Sequence, residues 1–356
     1  MSAIFIDKTV LLYYIINMNN FDYIENTPES LIGVEIDGYC LESVLGNGSY
    51  GVVYLARHIM MDRLFAFKIL QAEFSADEEA VKGFFRECKT AAKLEHPNVV
   101  QAFKAGRTAN GLCYFVMEYV EGSTIEAIRI NAPELLSLTF LLDVSIQLAD
   151  ALDYAWNSYR IIHRDIKPEN LLIKNYDRKL KLADLGLAGV GSNSSPGEIV
   201  ATPLYMSPEV AMGTGSYDVT GDIYSFGVMF YELSAGVPPF TGSIEELQRA
   251  HIEKLPPSLL SVNPDLDPEL ARYIDSMLAK NPGERPQSWA DVREHLSAIR
   301  QRLNVSSGQN LVHIEEPDHD ADLKDEKSRR ETASWYIVIV FTIVIIIGLI
   351  VLLIVM

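Results

Sequence analysis

The sequence of 356 residues predicts an α+β fold with a β-rich front, a helical back and one transmembrane helix at its C-terminal end. Three observations carry that expectation. Short Gly- and Val-rich segments recur between Tyr39 and Ile69, long amphipathic segments dominate after Glu118, and 22 residues from Trp335 to Met356 carry no charge. With 48% apolar residues the chain can fill a sizeable core.

Along the chain, residues 1–34 hold a short apolar run, Val10 to Ile16, without a strong basic n-region or a small-residue cleavage site, so no signal peptide is expected. The run is too short to span a membrane, and an N-terminal extension and a later start at Met18 both fit it. Strands are predicted around Leu41, Val44, Val52–Val53 and Phe65–Phe67, then a helix over Asp77–Leu94 and strands over Val99–Ala105 and Leu112–Glu118. Helices follow at Phe140–Asn157 and Ile223–Ala235. Residues 304–334 are polar, charged and aperiodic, which suits a flexible juxtamembrane linker. No internal repeat and no second folded domain are expected.

The net charge of -18 excludes nucleic-acid binding through a general basic surface, because phosphate neutralisation needs clustered Lys and Arg. The three cysteines, Cys40, Cys88 and Cys113, show no paired or metal-ligand spacing and read as free thiols in a reducing compartment. At 1.5 Å per residue the terminal apolar run makes about 33 Å of helix, enough to cross a bilayer. Trp335 and Tyr336 stand where an interfacial anchor belongs, and Lys324, Lys327, Arg329 and Arg330 precede the span. The positive-inside bias therefore places the upstream residues in the cytoplasm, and with Met356 ending the span no external sensor domain is expected.

The chemistry concentrates in a few segments. Gly46-Asn47-Gly48-Ser49-Tyr50-Gly51-Val52-Val53 fits G-x-G-x-x-G-x-V, in which glycines let backbone N–H groups approach a polyphosphate. The chain continues as a strand after these glycines rather than opening a helix, so a phosphate-covering hairpin fits better than a dinucleotide-binding turn. Lys68 ends a second β segment, and Glu87 on the next helix is placed to hold its ammonium. His163-Arg164-Asp165-Ile166-Lys167-Pro168-Glu169-Asn170 then sets a carboxylate, a lysine and a carboxamide within one short loop.

With these motifs in order, the chain resembles the eukaryotic-type protein kinase superfamily, in its bacterial serine/threonine form, from about Tyr39 to about Leu303. The resemblance implies a two-lobed protein kinase fold: a β-rich N-lobe over about 37–119 and a helical C-lobe over about 120–303, after an N-terminal extension over 1–36. It implies Asp165 as the base that orients the acceptor hydroxyl, Lys167 as the cation on the transferring phosphoryl group, and Lys68 as the partner of the α/β-phosphates. Asn170 and Asp184 would hold Mg²⁺, with Mn²⁺ as the alternative metal. ATP would lie against Leu45, Gly46, Asn47, Gly48, Ser49, Tyr50, Gly51, Val53, Ala66, Lys68, Glu87, Met117, Glu118, Val120 and Leu172, with Met117 as gatekeeper and Glu118–Val120 as hinge.

The sequence departs from the family pattern twice: Leu185 replaces Phe of D-F-G, and Ser207 replaces Ala of A-P-E. An apolar leucine suits the same slot as Phe. By the same resemblance Glu209 would pair with Arg285, Asp222 would brace the catalytic loop, and Thr202 to Glu209 would form the protein-substrate platform. Lys167 with Thr202 favours Ser/Thr acceptors in protein substrates. Arg164 before Asp165 implies a phosphate-ordered activation loop, with Ser192, Ser194 and Ser195 as acceptors and a homodimer as the route to trans-autophosphorylation. A scaffold without phosphoryl transfer is disfavoured because Lys68, Asp165, Asn170 and Asp184 are all present. The expected setting is a bacterial inner membrane, reached through 335–356.

Overall fold

The computed structural model describes residues 28–48, 51–75, 77–109, 111–184, 189–190, 202–213 and 217–306. The chain divides into two compact units, Met1–Arg302 and Leu303–Met356. Of the second unit only the last residues of a helix ending at Ser306 are described, so the predicted linker beyond that point and the predicted span lie outside the described residues. Among the described residues no helix is long and apolar enough to cross a membrane.

The first half forms an antiparallel sheet of β1 (Glu35–Ile36), β2 (Tyr39–Asn47), β3 (Gly51–His58), β4 (Arg63–Leu70), β5 (Ala102–Arg107) and β6 (Cys113–Glu118), in the order β1-β2-β3-β4-β6-β5. Strict alternation makes both faces of β6 useful. Tyr114 and Val116 join Tyr39, Leu41, Tyr54 and Phe67 on one side, while Cys113 and Phe115 join Phe84, Cys88 and Ala91 of helix α1 (Glu78–Ala91) on the other. Asp77 caps α1 by accepting from the Glu79 N–H at 2.9 Å, and Glu78 and Glu79 complement its N-terminal dipole. Part of the predicted N-terminal extension belongs to this body: β1 pairs with β2, and the Tyr54 hydroxyl donates to the Pro28 carbonyl at 2.8 Å.

The second half holds β7 (Gly122–Thr124), α2 (Ile125–Asn131), α3 (Leu138–Tyr159), β8 (Ile161–Ile162), β9 (Leu171–Lys174), β10 (Leu180–Leu182) and β11 (Gly189–Val190). Helices α4 (Val219–Ala235), α5 (Ile244–Glu253), α6 (Pro268–Met277) and α7 (Trp289–Ser306) follow. Helix α4 is buried from Val219 to Glu232, so it is apolar nearly all round and forms the axis on which this lobe packs. It begins four residues before the predicted start because Asp218 caps it, accepting from the Thr220 N–H at 2.8 Å.

One predicted strand moves for a physical reason. The β5 ladder opens at Ala102, and Val99 instead bridges Leu182 in parallel, with Val100 N–H to Leu182 O at 2.9 Å and Leu182 N–H to Asn98 O at 2.8 Å. The apolar pair Val99–Val100 thus serves β10, the strand that leads to Asp184.

Arg285 and Glu209 form a bidentate pair, Nη1 to Oε1 at 2.9 Å and Nη2 to Oε2 at 3.0 Å, with Arg285 fully buried. Replacing Glu209→Gln strips the counter-charge from a desolvated guanidinium, and we expect a loss of about 3 kcal/mol, held to that by the carbonyls of Thr220, Ala279 and Lys280 that Arg285 retains. A urea melt with unchanged slope and a lower midpoint checks it, and an unchanged midpoint refutes it.

Candidate active site

The site lies where β2–β3, β4, α1 and the segments around 163–184 meet. In the glycine turn Gly46 pairs with Val53 across a register shift, and the Gly48 N–H donates to Gly51 O at 2.9 Å. A Cβ on Gly51 would sit 2.4 Å from the Ile69 carbonyl oxygen, so β3 lies against β4 only with glycine there. A Cβ on Gly46 would meet nothing within 4 Å among the described residues, so packing there does not require that glycine. Ser49 and Tyr50 of the predicted set lie outside the described residues.

Lys68, registered opposite Val53 and Phe115 in β4, bridges two carboxylates: its Nζ donates to Glu87 Oε1 at 3.2 Å and to Asp184 Oδ1 at 2.9 Å. Burial works to lower the pKa of the Lys68 ammonium, but Asp184 and Glu87 outweigh it and hold the group charged. Burial raises Glu87, with Lys68 opposing. For Asp184 burial also pulls upward, yet the Lys68 charge prevails and leaves the carboxyl below its ordinary value. Asp184 takes a left-handed φ of 55° and Arg164 one of 69°, conformations that persist because their neighbours fix them.

Those fixings are visible. Buried Asp222 accepts from the His163 N–H at 2.7 Å, the Arg164 N–H at 2.8 Å and the Tyr217 hydroxyl at 2.7 Å. His163 Nε2 lies 3.3 Å from the Ala183 carbonyl, and the Ala183 N–H donates to Asn170 O at 2.9 Å, which joins the catalytic loop to the residue before Asp184. Within the loop, Asn170 Nδ2 donates to Asp165 O at 2.7 Å and to Asp165 Oδ2 at 3.1 Å, and its Oδ1 takes no part in these two bonds. Lys167 Nζ lies 2.6 Å from Asp165 Oδ2.

The strand residues expected along the nucleotide lie in two sheets. Ala66 faces Met117, and Phe65 faces Glu118, in the β4–β6 ladder, while Leu172 on β9 pairs with Lys181 and Thr124. Ala66 and Val120 are buried, Val53, Met117 and Leu172 half-buried, and Leu45 is exposed at the lip. Asn47 accepts from Gln71 Nε2 at 3.4 Å. Thr202, expected in the substrate platform, meets the catalytic loop, and Lys181 is a residue the sequence did not single out. The Thr202 hydroxyl donates to Asp165 Oδ1 at 2.7 Å and accepts from Lys167 Nζ at 3.0 Å. Buried Lys181 donates to Glu118 Oε2 at 2.7 Å and to Val99 O at 3.2 Å, clamping the hinge to β10. Its one sequence signal is a cation between two core leucines. A separate cavity of about 750 Å³, lined by Leu135, Phe140, Val144, Arg178 and Arg300 among others, contains none of the predicted site residues.

Two lobes, a glycine hairpin, a strand lysine with its helix glutamate and a braced Asp-Lys-Asn loop together define the class of protein kinases. The family described as the protein kinase domain matches residues 39–296, and the chain belongs to it. Membership implies ATP and a divalent cation as the working set. The chain is 32% identical over 283 residues to serine/threonine-protein kinase pkn3 of Myxococcus xanthus, covering 76% of this chain and 51% of that protein. It is 35% identical over 282 residues to serine/threonine-protein kinase PrkC of Bacillus subtilis, covering 77% of this chain and 43% of that one. It thus spans about half the length or less of these relatives. The crystal structure of the Mycobacterium tuberculosis PknI kinase domain superposes with a TM-score of 0.60 at 29% identity, covering 75% of this chain and 98% of that one.

Replacing Lys68→Met removes the charge that depresses Asp184. The Asp184 carboxyl then titrates at higher pH than in the wild type, which carbon-detected NMR of carboxyl groups reads directly. A carboxyl whose folded pKa lies below its unfolded one stabilises above the unfolded value and gives this up on acidification, so the variant loses that part of its acid-limb dependence. An unmoved Asp184 titration contradicts the assignment of Lys68 as its dominant partner.

Proposed function

We propose that this chain is a serine/threonine protein kinase that moves the γ-phosphate of ATP to Ser and Thr hydroxyls of proteins, itself included. The observation that carries the reading is that Lys68, Glu87 and Asp184 form one bonded group and Asp165, Lys167 and Asn170 another, joined where the Ala183 N–H donates to Asn170 O.

The donor set fits a hard divalent cation: one half-exposed carboxylate, Asp184, and one amide oxygen, Asn170 Oδ1, leave phosphate and water oxygens to complete the shell. We assign these two residues to Mg²⁺, which when bound neutralises charge on the β- and γ-phosphates. Lys68, kept protonated by its two carboxylates, holds the α/β-phosphates. Asp165, its carboxylate oriented by Asn170, takes the acceptor hydroxyl's proton. Lys167 spreads its charge toward the transferring group while bonded to Thr202 and Asp165. Thr202 already presents a hydroxyl to Asp165 Oδ1, which supports a hydroxyl as the acceptor type. Glu118 to Val120 read as the backbone edge for adenine.

We expect Asp165→Asn to lower transfer of labelled γ-phosphate, to the chain itself and to added histone, by about two to four orders of magnitude. ATP binding should stay intact. Full retention of transfer sinks the reading. In the same assay, incorporation per molecule that rises with protein concentration supports phosphorylation between two copies, and a flat response assigns it to a single copy.

For the setting, we assign residues 335–356 to a membrane span and 307–334 to a tether that leaves the kinase on the cytoplasmic side of a bacterial inner membrane. The 22 uncharged residues and the basic residues just before them support it. The full chain should resist alkaline carbonate extraction from membranes, and a chain ending at residue 306 should not. Extraction of both chains alike refutes the span.

A further inference from the structure

The segment from Thr202 to Glu209, read above as the platform for protein substrate, is tied down at both ends by groups already described, Thr202 by Asp165 and Lys167 and Glu209 by Arg285. The Tyr205 hydroxyl adds an anchor by donating to Glu232 at 2.7 Å. Between Thr202 and Tyr205 stand Pro203, which has no N–H to donate, and Leu204. The Leu204 side chain packs against Phe240, Leu247 and Ala250, and its carbonyl faces a histidine, His251 Nε2 at 3.2 Å.

His251, in α5, is fully buried, and the chain around it settles which ring nitrogen carries the proton. Burial, with the Arg285 charge beside it, pushes Lys280 down to about 8, so at neutral pH it is an ammonium that donates and does not accept. Its Nζ reaches His251 O at 2.8 Å, Ala250 O at 3.3 Å and the Tyr224 hydroxyl at 3.4 Å, and it lies 4.7 Å from the Phe240 ring centre. The Tyr224 hydroxyl, accepting from Lys280, turns its own proton to His251 Nδ1 at 2.9 Å. The single proton of a neutral imidazole is then on Nε2, aimed at the Leu204 carbonyl. Burial, with Lys280 adding to it, pushes His251 down to about 4, which keeps the ring neutral at ordinary pH. Tyr224 also lies under the Arg285 guanidinium, 4.8 Å from its ring centre, so the anchors of Leu204 and Glu209 share one buried cluster.

We propose that His251 is a positioning residue for the protein substrate: through the chain Lys280–Tyr224–His251 it fixes the Leu204 carbonyl and with it the part of the platform beside the acceptor hydroxyl. It touches neither nucleotide nor reacting atoms. Its loss therefore loosens the protein acceptor and leaves ATP handling alone. The inference rests on the protein kinase reading and on Thr202 to Glu209 as the platform.

The test uses the full chain with histone as the acceptor and compares two amides of different reach. Gln keeps an N–H at the ε position, where it meets Leu204 O, whereas Asn ends at the δ position and cannot. We expect His251→Asn to raise the KM for histone on the order of tenfold, since a part-buried carbonyl loses its donor, with the KM for ATP and ATP hydrolysis without acceptor unchanged. His251→Gln should recover most of the loss. Equal histone KM for wild type, Asn and Gln, or a KM for ATP that rises in step with that for histone, would overturn the proposal. Should the His251 variants fail to fold, Tyr224→Phe frees the tautomer while keeping the ring, and an unmoved histone KM in that variant overturns it as well. Absence of any transfer by the wild type would strike instead at the kinase reading beneath it.

Discussion

Everything chemical in this fold hangs on one buried carboxylate. Asp222 is 1% exposed in α4, the most buried helix of the lobe, and it accepts from two successive backbone N–H groups, those of His163 and Arg164, and from Tyr217. Burial pushes the Asp222 carboxyl up, and these donors with the nearby His163 hold it back. An unpaired carboxylate there would be prohibitive, so the loop has one low-energy position relative to the helix. Arg164 takes its left-handed φ as a consequence, Asp165 follows it, and His163 reaches across to the carbonyl beside Asp184. The brace costs buried polar surface and returns a fixed geometry, the usual exchange at a preorganised site.

How much of this was legible in the sequence depends on how local each constraint is. The glycine hairpin, Lys68 and the loop from His163 to Asn170 are short patterns whose residue types are dictated by phosphate chemistry, so they could be read in order and placed on the right elements. The alternation in β4 and β6 also survives in the sequence, because two opposite faces of the sheet each need their own apolar set. What could not be read are contacts between distant positions. His163 and Asp222 are 59 residues apart, and Lys181 and Glu118 are 63 apart. Neither spacing has a periodicity. Asp222 was reachable only through family resemblance, and Lys181 only as an anomaly, a lysine inside an apolar strand.

The shifted strand near Val99 makes the same point from the backbone side. Hydrophobicity and β-branching place Val99 and Val100 in a strand, but they do not say which partner supplies the hydrogen bonds. Leu182 does, and so the N-lobe enters β5 by way of the strand that delivers Asp184. Lys181 in the middle of that strand donates to the Glu118 carboxylate at the start of the hinge. Glu118 and the strand that leads to Asp184 are therefore joined by this side-chain bond.

The charge pattern completes the reasoning. A chain at -18 repels a polyphosphate at long range, and at physiological salt that repulsion fades within about 8 Å of the surface. Capture of ATP therefore depends on cations inside the cleft rather than on the field around it. Lys68 and Lys167 are such cations, each resting on carboxylates that are themselves needed, Glu87 and Asp184 for the first and Asp165 for the second. This sharing keeps either lysine from standing as an unpaired charge.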